Sequence, residues 1–393
     1  MRARSWVQTM SLGNILQLGE ESLVIDSLQY GLPHKVSFGV AMTKCGSRND
    51  ITDVAGIEVG HFHRIGDGWL TGTTVVLPPK GTVAGVDVRG GGPGTRETDC
   101  LEPTTMVSAI DAICLSGGSV YGLDAASGVV SWLAEQQRGF QVGPEPHHIV
   151  PIVPAAVLFD LGAGGNFMNR PDASFGYEAA RKATTNELAQ GTVGAGAGAR
   201  AGGLKGGIGS ASTILSNGVT IGVLIAVNPS GSPVSPTTGE LWGSRYGIAD
   251  EFAHLCRPSA TELKAWLDMP RVPPPLNTTL AIIATDAKMQ KHECTRLASV
   301  GHDGMARALS PIHQYTDGDL VFALATGEKD FPEGDLEQQG GALQPVNGRV
   351  LKLNEIFNAA ADCVARAVVH AVLNATSVGT TQSYRDKFPS AFN

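Results

Sequence analysis

No cluster of lysine and arginine interrupts this sequence of 393 residues, whose 29 basic and 37 acidic side chains leave a formal net charge of −8. A nucleic-acid footprint or an anionic membrane surface requires the opposite balance, so neither is expected as a partner. Nor is there a run of roughly 18 uninterrupted apolar residues, the length of a membrane span. Arg2 and Arg4 open the chain, but Gln8, Asn14, Gln17 and Glu20 keep the next residues from forming an apolar run, and no signal peptide is read there. The six cysteines, Cys45, Cys100, Cys114, Cys256, Cys294 and Cys363, lack C-x-x-C spacing. That pattern argues against a disulfide framework and for reduced, mostly buried thiols in a cytoplasmic protein. His61 and His63, or the adjacent His147 and His148, find no third ligand at metal-like spacing, so no metal is expected. There is no internal repeat.

What the chain does have is a hydrophobic fraction of 42%, ample for a core, and 50 glycines, nearly twice the usual share of about 7%. The glycines concentrate at 90–94, 162–165 and 191–209, which implies close backbone approaches and turns at positive φ. Apolar, β-rich runs at 73–77, 83–88, 112–115, 149–158 and 219–227 are bounded by Gly, Pro or Asn as strands should be. Helix-like segments at 122–135 and 177–188 lie between them, an alternation that predicts a layered α/β fold. Residues 1–47 read as a surface extension. From 248 to 266 the pattern turns helical, and Pro270, Pro273, Pro274 and Pro275 then end it in an extended segment. An almost wholly apolar strand follows at 279–285, then an interrupted helix over 286–309, a second buried strand at 320–325, and a long helix over 354–375.

Asn277, Thr278 and Thr279 stand where the proline-rich tether meets the buried strand. They fit an ordinary turn that starts a strand. They also fit a sharper possibility, in which a threonine at the head of a central strand attacks its own preceding carbonyl and cleaves the chain. The freed α-amine, with a reference pKa of about 7.7–8.0, can then take the hydroxyl proton near neutral pH. One residue thus supplies nucleophile and base, provided fixed donors hold the oxyanion and polar partners hold the amine. Gly90, Pro93, Gly94 and Thr95 lack the Gly-Lys-Ser/Thr of a phosphate loop. Gly117, Gly118 and Ser119 lack the Gly-x-Ser-x-Gly of a nucleophile elbow, and a helix-start turn capped by Ser119 is the simpler expectation.

Residues 49–61, 90–99, 115–125, 194–199, 202–207, 227–229, 277–279 and 284–287 carry, in order, blocks of a known family. Across almost all of 49–326 the chain resembles the self-processing aminopeptidases of DmpA type, which include L-aminopeptidase/D-esterases and β-peptidyl aminopeptidases, with nylon-oligomer hydrolases as relatives. The resemblance implies a four-layer α/β/β/α sandwich, one domain made from a large subunit over 48–277 and a small one over 278–393. It implies cleavage between Asn277 and Thr278, with Thr278 as the nucleophile and Asn228 as a donor to the oxyanion. Lys205 matches a lysine near the nucleophile of the nylon-oligomer hydrolases, and Asp317 and Asp319 match the acid pair that orients the amine there. In the β-aminopeptidase branch that pair is a serine and an acidic residue and the nucleophile is serine, so the chain departs from that branch at both places. Gly117, Gly118, Ser119 and Tyr121 fall in a matching block and are assigned to the substrate pocket. Expected substrates are small peptides or oligoamides, with no cofactor, and the expected assembly is a homo-oligomer of processed heterodimers. The acyltransferases of ornithine acetyltransferase type have different flanking blocks, absent here. A non-catalytic protein retaining the fold would betray itself by an uncleaved chain.

Overall fold

The computed structural model describes residues 43–186, 188–270, 276–330, 336–337 and 346–392. Most of the extension expected at 1–47, and the tether prolines Pro273, Pro274 and Pro275, lie outside the described residues. Two five-stranded sheets are built, in chain order, from β1 (Glu58–Gly66), β2 (Trp69–Leu77), β3 (Val83–Val88), β4 (Thr95–Arg96), β5 (Ile113–Ser116), β6 (Ala155–Val157), β7 (Gly207–Ile214), β8 (Thr220–Val227), β9 (Leu280–Ala287) and β10 (Leu320–Lys329). The first sheet runs β1-β2-β5-β6-β4 and the second β7-β8-β9-β10-β3.

The expected α/β/β/α sandwich is what the side chains build. In β9, Ala281 and Ile283 enter a core shared with helices α4 (Lys291–Ala308) and α5 (Gly348–Asn374), while Leu280, Ile282 and Ala284 enter the core between the sheets. In β10, Val321, Ala323 and Ala325 take the helix side and Leu320, Phe322 and Leu324 the inter-sheet side. Strands buried on both faces read as continuous apolar runs, which is why these two were visible in the sequence. On the other side, Val75 and Leu77 of β2 pack with Val129 and Leu133 of α1 (Ala125–Glu135) and Ala179 and Ala180 of α2 (Ala173–Arg181). Gly209 of β7 is where α5 comes closest: a Cβ there would sit 2.0 Å from the Ala367 carbonyl oxygen, a spacing only glycine permits. Helix α5 is long and apolar enough to cross a membrane, but here Ile356, Ala360, Cys363, Ala367 and Ala371 face the helix-side core.

Several expectations shift. The run at 149–158 is broken into Ile149–Val150 and Ala155–Val157, because Pro151 and Pro154 cannot donate to a ladder. Helix α2 begins earlier than expected, at Ala173, where Asp172 accepts from the Ser174 N–H, and ends at Arg181. Within the expected helical stretch 248–266 the α-helix, α3 (Ala260–Leu267), starts only at Ala260, capped by Ser259 after Pro258. All six cysteines are reduced, with Cys114, Cys294 and Cys363 buried.

The second sheet also sets where chemistry can occur. β9 and β10 are parallel, joined through α4, so both begin at the same edge. β8 is antiparallel to β9, and β3 to β10, so their C-terminal ends arrive there too. Residues 228–230, 277–279, 317–319 and 90–92 therefore meet.

Candidate active site

At that edge Asn277 forms a parallel bridge with Asp317, and Thr278, only 4% exposed, stands two residues before β9. The Thr278 N–H donates to the Asn228 carbonyl at 2.9 Å. The Asn277 side-chain amide donates to the Asn228 and Pro229 carbonyls at 3.2 and 3.0 Å. Both flanks of the 277–278 peptide are thus pinned. Its carbonyl oxygen accepts two donors, the Gly318 N–H at 2.9 Å and the Thr278 hydroxyl at 2.5 Å. A donor on a carbonyl oxygen polarises it toward attack, and the hydroxyl lies beside the carbonyl it would attack.

The two aspartates grip the surrounding backbone rather than the Thr278 nitrogen. Asp319, fully buried, accepts the Thr279 N–H on Oδ1 at 2.6 Å, and on Oδ2 the His313 N–H at 3.1 Å and ring Nδ1 at 3.0 Å. Asp317 accepts the Ser230 hydroxyl at 2.6 Å on Oδ1 and the Gln314 N–H at 3.0 Å on Oδ2. Burial raises the Asp317 pKa above the usual carboxylate range, against the lowering effect of the Ser230 hydroxyl.

Asn228 is oriented by its neighbours. Its Oδ1 accepts the Arg200 N–H at 2.9 Å, which assigns the amide's direction, and its Nδ2 donates to the Phe159 carbonyl at 3.1 Å. An amide nitrogen has two N–H bonds, so one is left without a partner among the described residues. Lys205 is placed differently from a residue facing the nucleophile. Only 1% exposed, its ammonium donates to the carbonyls of Gly196, Ala199 and Gly206 at 2.9, 2.9 and 3.0 Å. Three donors are the full complement of an ammonium, and here they brace the glycine-rich loop that presents the Arg200 N–H to Asn228. Burial pushes the Lys205 pKa down to about 7.

Of the residues assigned to a substrate pocket, Gly118 and Ser119 both hold positive φ, +83° and +51°. The expectation that Ser119 caps a helix is corrected: no side chain caps this 3-10 turn, Ser119–Asp124, and Ser119 instead donates its N–H to the Leu158 carbonyl at 3.0 Å. A positive φ turns its side chain out of capping geometry. Tyr121 is 50% exposed, its ring under the Arg170 guanidinium at 3.6 Å. Among the described residues, no hydrogen bond joins Ser119 or Tyr121 to Thr278, Asn228 or the aspartates. Gly117 and Gly118 connect more closely, through Asp160. This buried carboxylate accepts the Gly118 N–H at 2.7 Å, and a Cβ at Gly117 would strike its Oδ2 at 2.2 Å. His61 and His63, by contrast, are tied to the neighbouring turn, His61 Nδ1 lying 2.9 Å from Thr74 Oγ1 and His63 Nδ1 accepting the Gly194 N–H at 3.2 Å.

Burial pushes the Asp160 pKa up to about 6, despite its hydrogen bonds and the Lys205 charge. A carboxyl whose folded pKa is raised favours the fold below its ordinary value near 4, and that advantage is lost as pH rises through 6. Asp160→Asn keeps an acceptor for Gly118 and carries no charge. Wild-type stability is therefore expected to fall by about 1–2 kcal/mol relative to the variant between pH 4 and 7. Urea unfolding at pH 4.5 and 7.5 checks it, and parallel behaviour of the two proteins would refute it.

Gly318, His313 and Ser230 carry no assigned role in the sequence reading. For Gly318 a signal existed, since it separates the two singled-out aspartates. His313 and Ser230 had none, because the fold alone brings them to the aspartates.

Residues 49–385 match the profile of Peptidase family S58. The chain is 48% identical over 354 residues to a protein of Mycobacterium tuberculosis described as an uncharacterized aminopeptidase, covering 88% of this chain and 99% of that one. It is 30% identical over 316 residues to the 6-aminohexanoate-oligomer endohydrolase of a Kocuria species, covering 77% and 82%. The L-aminopeptidase D-Ala-esterase/amidase of Ochrobactrum anthropi, described as a variant of the Ntn hydrolase fold, superimposes with a TM-score of 0.63 at 21% identity, over 89% of this chain and 91% of that one.

Proposed function

The chain belongs to Peptidase family S58 and is a hydrolase of amide bonds, and from that premise we propose that it activates itself by breaking the Asn277-Thr278 bond and then works through Thr278. The Thr278 hydroxyl attacks the Asn277 carbonyl carbon, the C–N bond breaks, and the hydroxyl proton passes to the departing nitrogen. The resulting ester is hydrolysed by water, which leaves a carboxylate on Asn277 and restores the hydroxyl beside a free α-amine. In catalysis the same oxygen attacks a substrate amide while the amine accepts its proton and returns it to the leaving group. Water then releases the acyl group from threonine. The spare Asn228 N–H is the donor to the oxyanion.

The observation that carries this reading is the pair of donors on the Asn277 carbonyl oxygen, the Gly318 N–H and the Thr278 hydroxyl itself. After scission the Asn228 carbonyl, now holding the Thr278 N–H, is an acceptor for the amine. Asp319, bonded to the next residue, supplies the negative charge that steadies it. Lys205 acts at one remove, through the loop that orients Asn228, and Gly117, Gly118, Ser119 and Tyr121 are read as the wall that receives substrate.

Higher identity to the mycobacterial aminopeptidase than to the oligomer endohydrolase favours peptides with a free N-terminus over oligoamides. The same reading includes assembly of processed heterodimers into a homo-oligomer, supported by the family resemblance, and a cytoplasmic setting, supported by the reduced cysteines. Apportioning 40.9 kDa by residue number gives subunits of about 29 and 12 kDa. Intact-mass measurement and N-terminal sequencing test the proposal: the lighter piece should begin Thr-Thr-Leu, and an active but unbroken chain would dismiss it. An aminoacyl p-nitroanilide panel beside a 6-aminohexanoate oligomer separates the two substrate classes.

A further inference from the structure

Behind Asp319 lies a cluster that the self-processing chemistry does not use. His313 holds a left-handed φ of +57° and reaches one oxygen of Asp319 with both its main-chain N–H, at 3.1 Å, and its ring Nδ1, at 3.0 Å. A carboxylate can only accept, so Nδ1 carries a proton in this contact. With Oδ2 taken twice, Oδ1 is left for the Thr279 N–H at 2.6 Å. The other ring nitrogen, Nε2, is buried without a hydrogen-bond partner among the described residues. The His302 ring of α4 stands edge-on to the His313 ring, centroids 4.6 Å apart, its Nε2 lying 3.0 Å from the Asp87 carbonyl oxygen.

We propose that His313 is a positioning residue for the reaction: its main-chain N–H and ring Nδ1 fix one oxygen of Asp319 so that the other holds Thr279 beside the nucleophile. The inference rests on the reading of Thr278 as the freed nucleophile. Asp319 is fully buried, and a buried carboxylate requires a partner of opposite charge or a set of hydrogen bonds. The titratable and charged groups around His313 are Asp319 and Asp317 before β10, His302 on α4, and, acting on His302, Asp87 and Arg89 at the end of β3. Burial pushes the His302 pKa down to about 4, so His302 stays neutral near neutral pH and adds no charge behind Asp319. The Nδ1 hydrogen bond draws on the Asp319 carboxylate, and the amine of Thr278 then loses its proton more readily. Without that donor the carboxylate acts more fully on the amine and favours the ammonium form, which cannot serve as base.

The test uses two substitutions that tolerate a left-handed backbone, His313→Asn and His313→Gly. Asparagine replaces the Nδ1 donor with an amide N–H, whereas glycine removes the ring and keeps the main-chain N–H. His313→Gly is expected to process roughly tenfold more slowly and to shift the acid limb of the kcat/KM profile on an aminoacyl p-nitroanilide upward by about one pH unit. His313→Asn is expected to recover most of both losses, because the donor to Asp319 is restored. A merely structural histidine would lower the melting temperature of both variants and leave the limb unmoved. An unmoved limb or wild-type processing in His313→Gly, or no recovery in His313→Asn, overturns the role of His313 and leaves Thr278 as nucleophile. If wild type itself remained one active chain, the reading of Thr278 would fall first.

Discussion

Thr278→Ala is expected to give a single 40.9 kDa polypeptide and to lower amide hydrolysis by about 10⁴-fold or more, the scale seen when an enzyme loses its nucleophile. The substitution removes the hydroxyl that donates to the Asn277 carbonyl, and with it both the group that would cleave the chain and the group that would attack substrate. It should do so without disturbing the fold. The Thr278 N–H still donates to Asn228, and Gly318 still donates to Asn277. Thr278→Ser, which restores a hydroxyl at the same point, should recover processing and part of the activity. Denaturing gels over hours after purification, with kcat/KM for the processed fraction, read both variants. Two normal subunits from Thr278→Ala would move the nucleophile elsewhere.

The second large effect is expected at Gly318, which has no side chain to lose. A Cβ built there would lie 2.6 Å from the Thr278 hydroxyl oxygen, 2.9 Å from the Gly92 carbonyl oxygen and 3.3 Å from Pro93 Cα. Contacts under 3 Å force something to move, and each escape damages the site. Either the hydroxyl rotates off the Asn277 carbonyl, or the turn before β10 retreats and withdraws its N–H from that oxygen. Loss of one such donor costs about 10²–10³ in rate, so Gly318→Ala should slow processing by roughly 10²-fold. Circular dichroism would check that the sheet is intact. Wild-type processing kinetics in this variant would show that the two-donor arrangement on Asn277 is not what drives scission.

The parts of the fold visible in the sequence were those whose burial is one-dimensional. β9 and β10 sit between two cores, so every residue from Leu280 to Ala284 or Leu320 to Leu324 is apolar whichever way it points. Boundaries set by single side chains were harder: Asp172 starts α2 by accepting the Ser174 N–H and hydroxyl, and Pro151 and Pro154 interrupt an otherwise apolar run. At the site, Thr278, Asn228, Lys205, Asp317 and Asp319 were singled out because they stand in recognisable blocks. Where each side chain points was not legible. Lys205 turns to three carbonyls and Asp319 to Thr279 and His313, arrangements that depend on which strands share an edge. The contacts of Gly318 and Ser230 arise from the same convergence.

The antiparallel ladder between β8 and β9 runs from Ile221 opposite Thr285 to Ala226 opposite Leu280, and residue 277 falls just outside it. A nick there would sever the covalent thread while leaving every rung in place, so the halves should stay together on dilution and separate only when the whole sandwich is melted. Neither half owns a complete second sheet: β3, β7 and β8 come from one, β9 and β10 from the other. Supplying the halves as two separately translated messages would ask each to wait, with a raw sheet edge and uncovered apolar faces, for its mate. One polypeptide that divided after assembly, as proposed, would avoid that hazard, and this would be a sufficient physical reason for a scissile bond at the head of a central strand.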